Sequence, residues 1–378
     1  MDTAKPQSTP DPIALEHQPV SSSTHPRPHL MPLEERPAER LLLDFLPRLT
    51  AQRVLSNTVG RGQFASEYAR RDQGASVACW LVDLYQTQQI QATGSLPANL
   101  HLVCATDPPP DEVDLVAWVF SRDGNGELVR DMLQIGHERL TIGGQLIVAI
   151  NNPRDKWLHE LLQNLFPKVS RYVSDIGILY LATKNAPLKK HKQYAAEFAF
   201  RDGERLIYLR TRPSVFSHRE LDGGARALIK TMNVQPGMRV LDVGCGCGAV
   251  GIAAALRAAE VQVNAIDSNP RAIESTLWAA ERNSAANVTA TLDCDGRSLA
   301  PAVYDLVLAN PPYYSNFRIA RLFVQIAAKA LQPGGTLLLV TKMPQWYTDH
   351  LPDAFTEVTT QSIGDYSVLS AERQPALP

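Results

Sequence analysis

The sequence predicts an α/β protein built from two copies of one unit, each a mainly parallel sheet flanked by helices. Three observations carry this. Short apolar runs alternate with helical periods, which is the pattern of βαβ units. Landmarks recur at fixed offsets: Asp114-Leu-Val-Ala matches Asp305-Leu-Val-Leu and Gly143-Gly144 matches Gly334-Gly335, both 191 residues on, while Arg53-Val54-Leu55 matches Arg239-Val240-Leu241 at 186. The chain of 378 residues, 44% hydrophobic, is long enough for two ordinary domains with their own cores.

Residues 1–37 are rich in Pro, Ser, Thr and His, have no hydrophobic period, and are expected to form a disordered tail. The first unit spans 38–185. It opens on a helix over Glu39–Leu46, then strands at Arg53–Leu55, Val77–Val82, Leu100–Cys104 and Asp114–Phe120. A helix through Leu128–Arg139, the Gly143-Gly144 turn, the strand Gln145–Ile150 and a closing strand Ile176–Ala182 complete it. Residues 186–215 read as a basic linker. The stretch 184–219 holds nine Lys and Arg against only Glu197, Asp202 and Glu204, on a chain whose net charge is −2. Such a run suits a phosphate backbone. The second unit, 216–378, repeats the pattern: a helix Asp222–Met232, strand Arg239–Val243, helix Ala249–Ala259, strand Val261–Asp267, helix Pro270–Asn283 and strand Val288–Asp293. Strand Tyr304–Leu308, helix Ile319–Leu331 and strand Thr336–Val340 follow.

The chemistry is concentrated in the second unit. After the apolar strand Tyr304–Leu308 come Ala309-Asn310-Pro311-Pro312-Tyr313-Tyr314. The two prolines stop the strand, since neither has an N–H and both fix φ. An Asn side chain, the Pro311 carbonyl and an aromatic ring are thus presented at the carboxyl end of a strand, where open α/β sheets bind ligands. The Asn oxygen and the Pro311 carbonyl can each accept an N–H, and Tyr313 can stack, so the set suits a planar group carrying an exocyclic amine. The first unit has Val119-Phe120-Ser121 at this place.

Asp242-Val-Gly244-Cys245-Gly246-Cys247-Gly248 lies between a strand and a helix. Its glycines let the main chain turn tightly and approach a ligand. An acid two residues before the first glycine would repel a phosphate and suits a cationic ligand. Asp267 ends the next strand, where a carboxylate holds a ribose diol. Asp295-Gly296, after the strand beyond, falls beside the expected adenine. The ligand implied carries adenine, ribose and positive charge, without phosphate. The first unit has Ser56-Asn57-Thr58-Val59-Gly60-Arg61-Gly62 here, lacking the acid and the first glycine. It is expected to keep the fold but not the site, with Asp83 a vestige of Asp267.

These motifs, Asp242-x-Gly-x-Gly-x-Gly, Asp267, Asp295 and Asn310-Pro-Pro-Tyr, resemble those of class I S-adenosylmethionine-dependent methyltransferases. Phe216-Ser-His-Arg-Glu-Leu-Asp-Gly-Gly and Gly364-Asp-Tyr-Ser-Val further resemble segments of the bacterial ribosomal RNA guanine-N2 methyltransferases. The resemblance covers roughly 212–372. It implies two tandem Rossmann-like methyltransferase domains, the first degenerate and serving as an RNA platform. It implies S-adenosyl-L-methionine as cofactor, held by Phe216, Asp242, Gly244, Cys245, Gly246, Gly248, Asp267, Ser268, Asp295, Gly296 and Asn310. Asn310, Pro311, Pro312 and Tyr313 would carry catalysis on a guanine N2 in ribosomal RNA or a ribosomal subunit, the small subunit favoured over the large. His218 and Asp222 are expected in the cofactor-pocket wall.

Competing expectations are methylation of adenine N6 or of a protein glutamine, since Asn-Pro-Pro-Tyr is shared with such enzymes, or an RNA-binding assembly factor without activity. No metal is expected, because Cys245 and Cys247 lack suitably spaced partners. Five scattered cysteines, no apolar run of membrane length and no apolar leader point to a cytoplasmic protein with reduced thiols. The internal duplication points to a monomer.

Overall fold

The computed structural model describes residues 36–94, 96–312 and 317–374. Its strands are short and apolar because most are covered on both faces. In the first unit, β1 (Arg53–Ser56), β2 (Ser76–Leu81), β3 (Leu100–Cys104), β4 (Val113–Phe120), β5 (Leu140–Ile150), β6 (Val169–Val173) and β7 (Ile178–Thr183) form one sheet in the order β3-β2-β1-β4-β5-β7-β6. Helices α1 (Pro37–Phe45), α2 (Gln63–Arg71), α3 (Leu84–Gln91), α4 (Gly126–Arg139) and α5 (Trp157–Leu165) flank it. After a hairpin, β8 (Ala196–Asp202) and β9 (Arg205–Thr211), the second unit begins. Its strands are β10 (Arg239–Val243), β11 (Gln262–Asp267), β12 (Val288–Leu292), β13 (Tyr304–Ala309), β14 (Leu331–Thr341), β15 (Phe355–Ile363) and β16 (Tyr366–Arg373), in the order β12-β11-β10-β13-β14-β16-β15. Helices α6 (Gly223–Thr231), α7 (Ala249–Arg257), α8 (Pro270–Arg282), α9 (Arg318–Ala330) and α10 (Pro344–His350) flank that sheet.

The two orders are the same, and in each sheet only the strand next to last in that order, β7 or β16, runs antiparallel. The repeat extends to single bonds. The Arg53 amide donates to Asp114 Oδ2 at 2.9 Å, and the Arg239 amide donates to Asp305 Oδ2 at 2.7 Å. The paired glycines, read as turns, lie inside β5 and β14 at matching register shifts opposite Val113/Leu115 and Tyr304/Leu306.

Alternation along β13 divides the second core. Leu306 and Leu308 face a cluster with α6, α7 and α8, whereas Val307 and Ala309 face one with α9 and β14. The hairpin belongs to the first of these clusters through Phe200, Ile207 and Leu209, all buried. The stretch expected as a linker therefore folds in part as a piece of the second core.

Several basic residues of that stretch are used inside the protein. Lys184 is buried, its Nζ donating to the carbonyls of Glu138 and Leu140. Arg212 donates to Asp107 at 2.9 Å and lies 3.3 Å from Glu274, and Arg219 forks onto Glu127 at 2.8–3.1 Å. These bonds tie the two units together. Arg271 is fully buried among them, donating to Asp131 at 2.7 Å and to the carbonyls of Thr106 and Pro213 at 2.8 Å. Lys189, Lys190, Lys192, Arg201 and Arg205 remain exposed.

Candidate active site

Asn310 follows β13 directly, and its side chain is held from α6. Its Nδ2 donates to Asp222 Oδ2 at 2.8 Å, and the same oxygen accepts the Ala225 amide at 2.9 Å as the N-cap of α6. A carboxylate only accepts, so this bond sets which end of the amide is which and leaves Oδ1 as the free acceptor. Gly224 allows the approach: a Cβ there would lie 2.9 Å from Asn310 Oδ1. Tyr313, the expected stacking ring, lies outside the described residues.

The glycine loop is wound so that the amides of Gly244, Cys245, Gly246 and Gly248 are satisfied within the protein. Gly244 and Cys245 donate to the Ile266 carbonyl at 2.8 and 3.0 Å, and Gly246 donates to Asp267 Oδ2 at 2.9 Å. The Gly251 amide, in the first turn of α7, donates to Asp242 Oδ2 at 2.9 Å. The position where a helix N-terminus would hold a phosphate is thus taken by a carboxylate. Burial pushes Asp242 up to about 7 and Asp267 up to about 6. Two carboxyls held this way favour a cation beside them, which fits the ligand inferred from sequence. Gly244 has φ 69°, and a Cβ on it would meet the Phe323 ring at 2.6 Å, so only glycine fits this crossing.

Beside the loop lies a cavity of about 490 Å³. This is the size of a small-molecule site, for which about 300–1,000 Å³ is usual. Of the expected residues, Phe216, Gly244, Asp267, Ser268, Asn310 and Pro312 line it. A smaller adjoining recess is lined by Asp222, Asp242, Cys245 and Gly246, again with Phe216, Gly244 and Asn310. Asp295 and Gly296 line neither; Asp293 and Cys294 line the cavity instead. The reason is local: Asp293 Oδ1 accepts the amides of Asp295 and Gly296 at 2.8 Å, folding the chain over, while Asp295 pairs with Arg297 at 2.8 Å. Gly248 caps α7 and Pro311 lines neither space.

His218 lies away from the cavity, between Thr211 Oγ1 at 2.8 Å and Glu127 at 3.1 Å, so it joins the contact between units rather than the pocket wall. The thiols of Cys245 and Cys247 are buried and pushed up, the latter to about 11, as packed small residues. Among the described residues no cluster of metal ligands occurs, and no helix is long and apolar enough to cross a membrane.

Two sets of lining residues were missed by sequence reasoning. Ile319, Leu322, Phe323 and Ile326 form one stripe of α9, at a spacing visible in the sequence, where the segment was read only as a helix. Val82, Asp83 and Tyr85 come from the first unit and carry no local signal. In the first unit itself the equivalent loop is bonded internally. Asn57 is bonded both ways to the Val119 main chain at 2.7 and 3.0 Å, and Thr58 donates to Glu39 of α1 while accepting the amides of Gly60 and Gly62.

A degenerate tandem copy followed by one with a fitted cavity is the architecture of a double methyltransferase fold. Residues 207–370 match the family described as the methyltransferase small domain. Among named relatives, the chain is 33% identical over 154 residues to the ribosomal RNA small subunit methyltransferase C of Hahella chejuensis, covering 38% of this chain and 44% of that protein. The like-named protein of Chromohalobacter salexigens is 33% identical over 176 residues, covering 44% of this chain and 49% of it. The chain thus spans about half the length of these two relatives. That of Shewanella halifaxensis is 28% identical over 286 residues, covering 72% of this chain and 82% of it. Among solved structures, a T. thermophilus 16S rRNA N2 methyltransferase, RsmC, in complex with AdoMet and guanosine superposes with TM-score 0.75 at 21% identity, covering 88% of this chain and 92% of that one. That likeness bears on the fold: two tandem Rossmann-like methyltransferase domains.

Proposed function

We propose that this protein transfers a methyl group from S-adenosyl-L-methionine to the N2 amino group of a guanine in small-subunit ribosomal RNA. The observation that carries the reading is Asn310, its amide oriented by Asp222 at the carboxyl end of β13, beside a cavity bordered by the glycine loop. Bound there, S-adenosylmethionine supplies an electrophilic methyl. Phe216, Gly244, Asp267 and Ser268 would hold its nucleoside, and Asp242 would face its charged end.

The chain's own residues do the rest by position. Asn310 Oδ1 and the Pro311 carbonyl would each accept a hydrogen bond from the guanine amine, turning its lone pair toward the donor. As the N–C bond forms the S–C bond breaks, S-adenosylhomocysteine is left, and the methylated nitrogen gives up one proton to solvent. The nitrogen is a poor nucleophile in the plane of the ring, so orientation and electrostatics supply most of the rate. Tyr313 fixes the base plane, and an unpaired or flipped nucleotide is needed to enter. Residues 38–185, with the exposed lysines and arginines of 189–205, form the RNA platform of a cytoplasmic enzyme. The hairpin 196–211 belongs with the catalytic unit.

The test is methylation of small subunits, free ribosomal RNA and release factor with labelled donor, with the product mapped by mass spectrometry. Incorporation at a guanine N2 is expected. Label on adenine N6 or on protein glutamine would replace the substrate assignment. Asn310→Ala is expected to lose turnover by about 100-fold or more while S-adenosylhomocysteine affinity stays within about twofold. Full activity of that variant would remove the amine-gripping role.

A further inference from the structure

Asp83 follows β2 by two residues as the N-cap of α3, near the place where Asp267 ends β11, while in its own unit Asn57 is bonded to Val119 and Thr58 to Glu39. The turn it opens is pressed against the other copy. The Leu84 amide donates to the Ser268 carbonyl at 2.8 Å, and Cys294 Sγ donates to Gln88 of α3 at 3.4 Å. Asp83 Oδ1 accepts the amides of Tyr85 and Gln86 at 2.8 and 3.3 Å, which fixes the turn. Val82, Asp83 and Tyr85 thereby line the 490 Å³ cavity on the side that also carries Asp267, Ser268, Asp293 and Cys294. The two strand-end acids stand close enough that Asp83 adds to the upward push on Asp267.

We propose that the first copy supplies the nucleoside-end wall of the methyl-donor cavity through Asp83 and Tyr85, so that donor affinity is set by both copies. This rests on the donor reading above. Asp267 and the Ser268 turn mark the ribose end of the cavity, and the residues adjoining them there come from α3 and the turn before it. Tyr85 is 36% exposed, so its ring can close over a nucleoside without having been part of the core. The ligand part recognised is the adenosine moiety, not the amino-acid part, which lies toward Asp242 and Asp222.

Isothermal titration of the full chain tests this with two ligands: S-adenosylhomocysteine, and 5′-methylthioadenosine, which shares the nucleoside but lacks the amino-acid part. Tyr85→Ala is expected to raise the Kd of both about tenfold and by the same factor, with Tyr85→Phe within about twofold of the parent. Asp83→Asn, which keeps the size of the side chain, is expected to change both affinities in step. Melting of the unliganded variants, expected within a few degrees of the parent, shows that the fold is kept. Affinities within twofold of the parent for both Tyr85→Ala and Asp83→Asn would overturn the proposal. So would a loss confined to S-adenosylhomocysteine. Failure of the parent protein to bind either ligand would instead overturn the donor reading, and this inference with it.

Discussion

Asn310 Nδ2 sits 2.8 Å from Asp222 Oδ2, and that one bond decides which atom of the Asn310 amide faces a substrate. The acid is itself fixed, because the first turn of α6 donates to the same oxygen. Orientation is therefore transmitted from a helix N-cap to the end of β13 through a single carboxylate.

Asp222→Asn should break this arrangement with little loss of volume. The amide pair can then bond in either sense, so Asn310 presents donor and acceptor ends in turn. Turnover is expected to fall about 10–100-fold with donor affinity changed less than about threefold. The weaker cap costs at most about 1 kcal/mol of stability. Steady-state kinetics beside isothermal titration separates the two effects. An unchanged kcat would show that Asp222 does not orient Asn310.

Gly244→Ala places a methyl 2.6 Å from the Phe323 ring at a backbone φ of 69°. The left-handed conformation alone costs an alanine about 1–2 kcal/mol. Phe323 must also move, and it lines the cavity. A drop of several degrees in Tm and at least about tenfold weaker binding of S-adenosylhomocysteine are expected. Calorimetry reads both; an unaltered Kd would mean that the ring can step aside at no cost to the site.

Burial raises Asp242 to about 7 and Asp267 to about 6, above the ~3.9 of an unfolded aspartate. The native state then binds more protons than the unfolded chain between those values. This contribution to stability is full below about pH 4 and is lost as pH rises through about 6 and then about 7. A cationic ligand beside the carboxyls favours their ionised forms, so binding should release protons and tighten as pH climbs through the same interval. Titrations near pH 6 in two buffers of different ionisation enthalpy measure that release. Equal heats in both would contradict it.

Arg271→Ala removes a buried guanidinium and leaves Asp131 and the carbonyls of Thr106 and Pro213 without their donor. A loss of about 3–5 kcal/mol in unfolding free energy is expected. The pair is not thereby a net source of stability, since an apolar replacement of both partners can do as well. Urea denaturation checks it; a change below about 1 kcal/mol would show that water or a neighbour takes the place of the guanidinium.

The strands of the second sheet up to Val340 were legible because their signals are local. The apolar run Tyr304–Ala309, the prolines after it and the glycines of 244–248 each report on their own backbone. The duplication was legible because Asp114 and Asp305 perform the same bond in both copies. The hairpin 196–211 was obscured by its charges, which mask the alternation of Phe198, Phe200, Ile207 and Leu209. That Asp293 rather than Asp295 lines the cavity was not legible, because spacing does not tell which acid of a pair folds the turn and which faces out. His218 failed for a related reason: its partner, Glu127, is 91 residues away. Nothing near Asp83 in the chain announces that it faces a cavity belonging to residues 216–326.

The carboxylate seated at the start of α7 also bears on which metabolites can compete. Many adenosine-bearing compounds in a cell carry phosphates, and a dinucleotide fold usually welcomes them at this helix end. Here that end carries Asp242, which opposes a phosphate in its ionised form. On the reading proposed above, one acid would then weigh against nucleotide coenzymes and energy carriers, and the remainder of the pocket would recognise the nucleoside they all share.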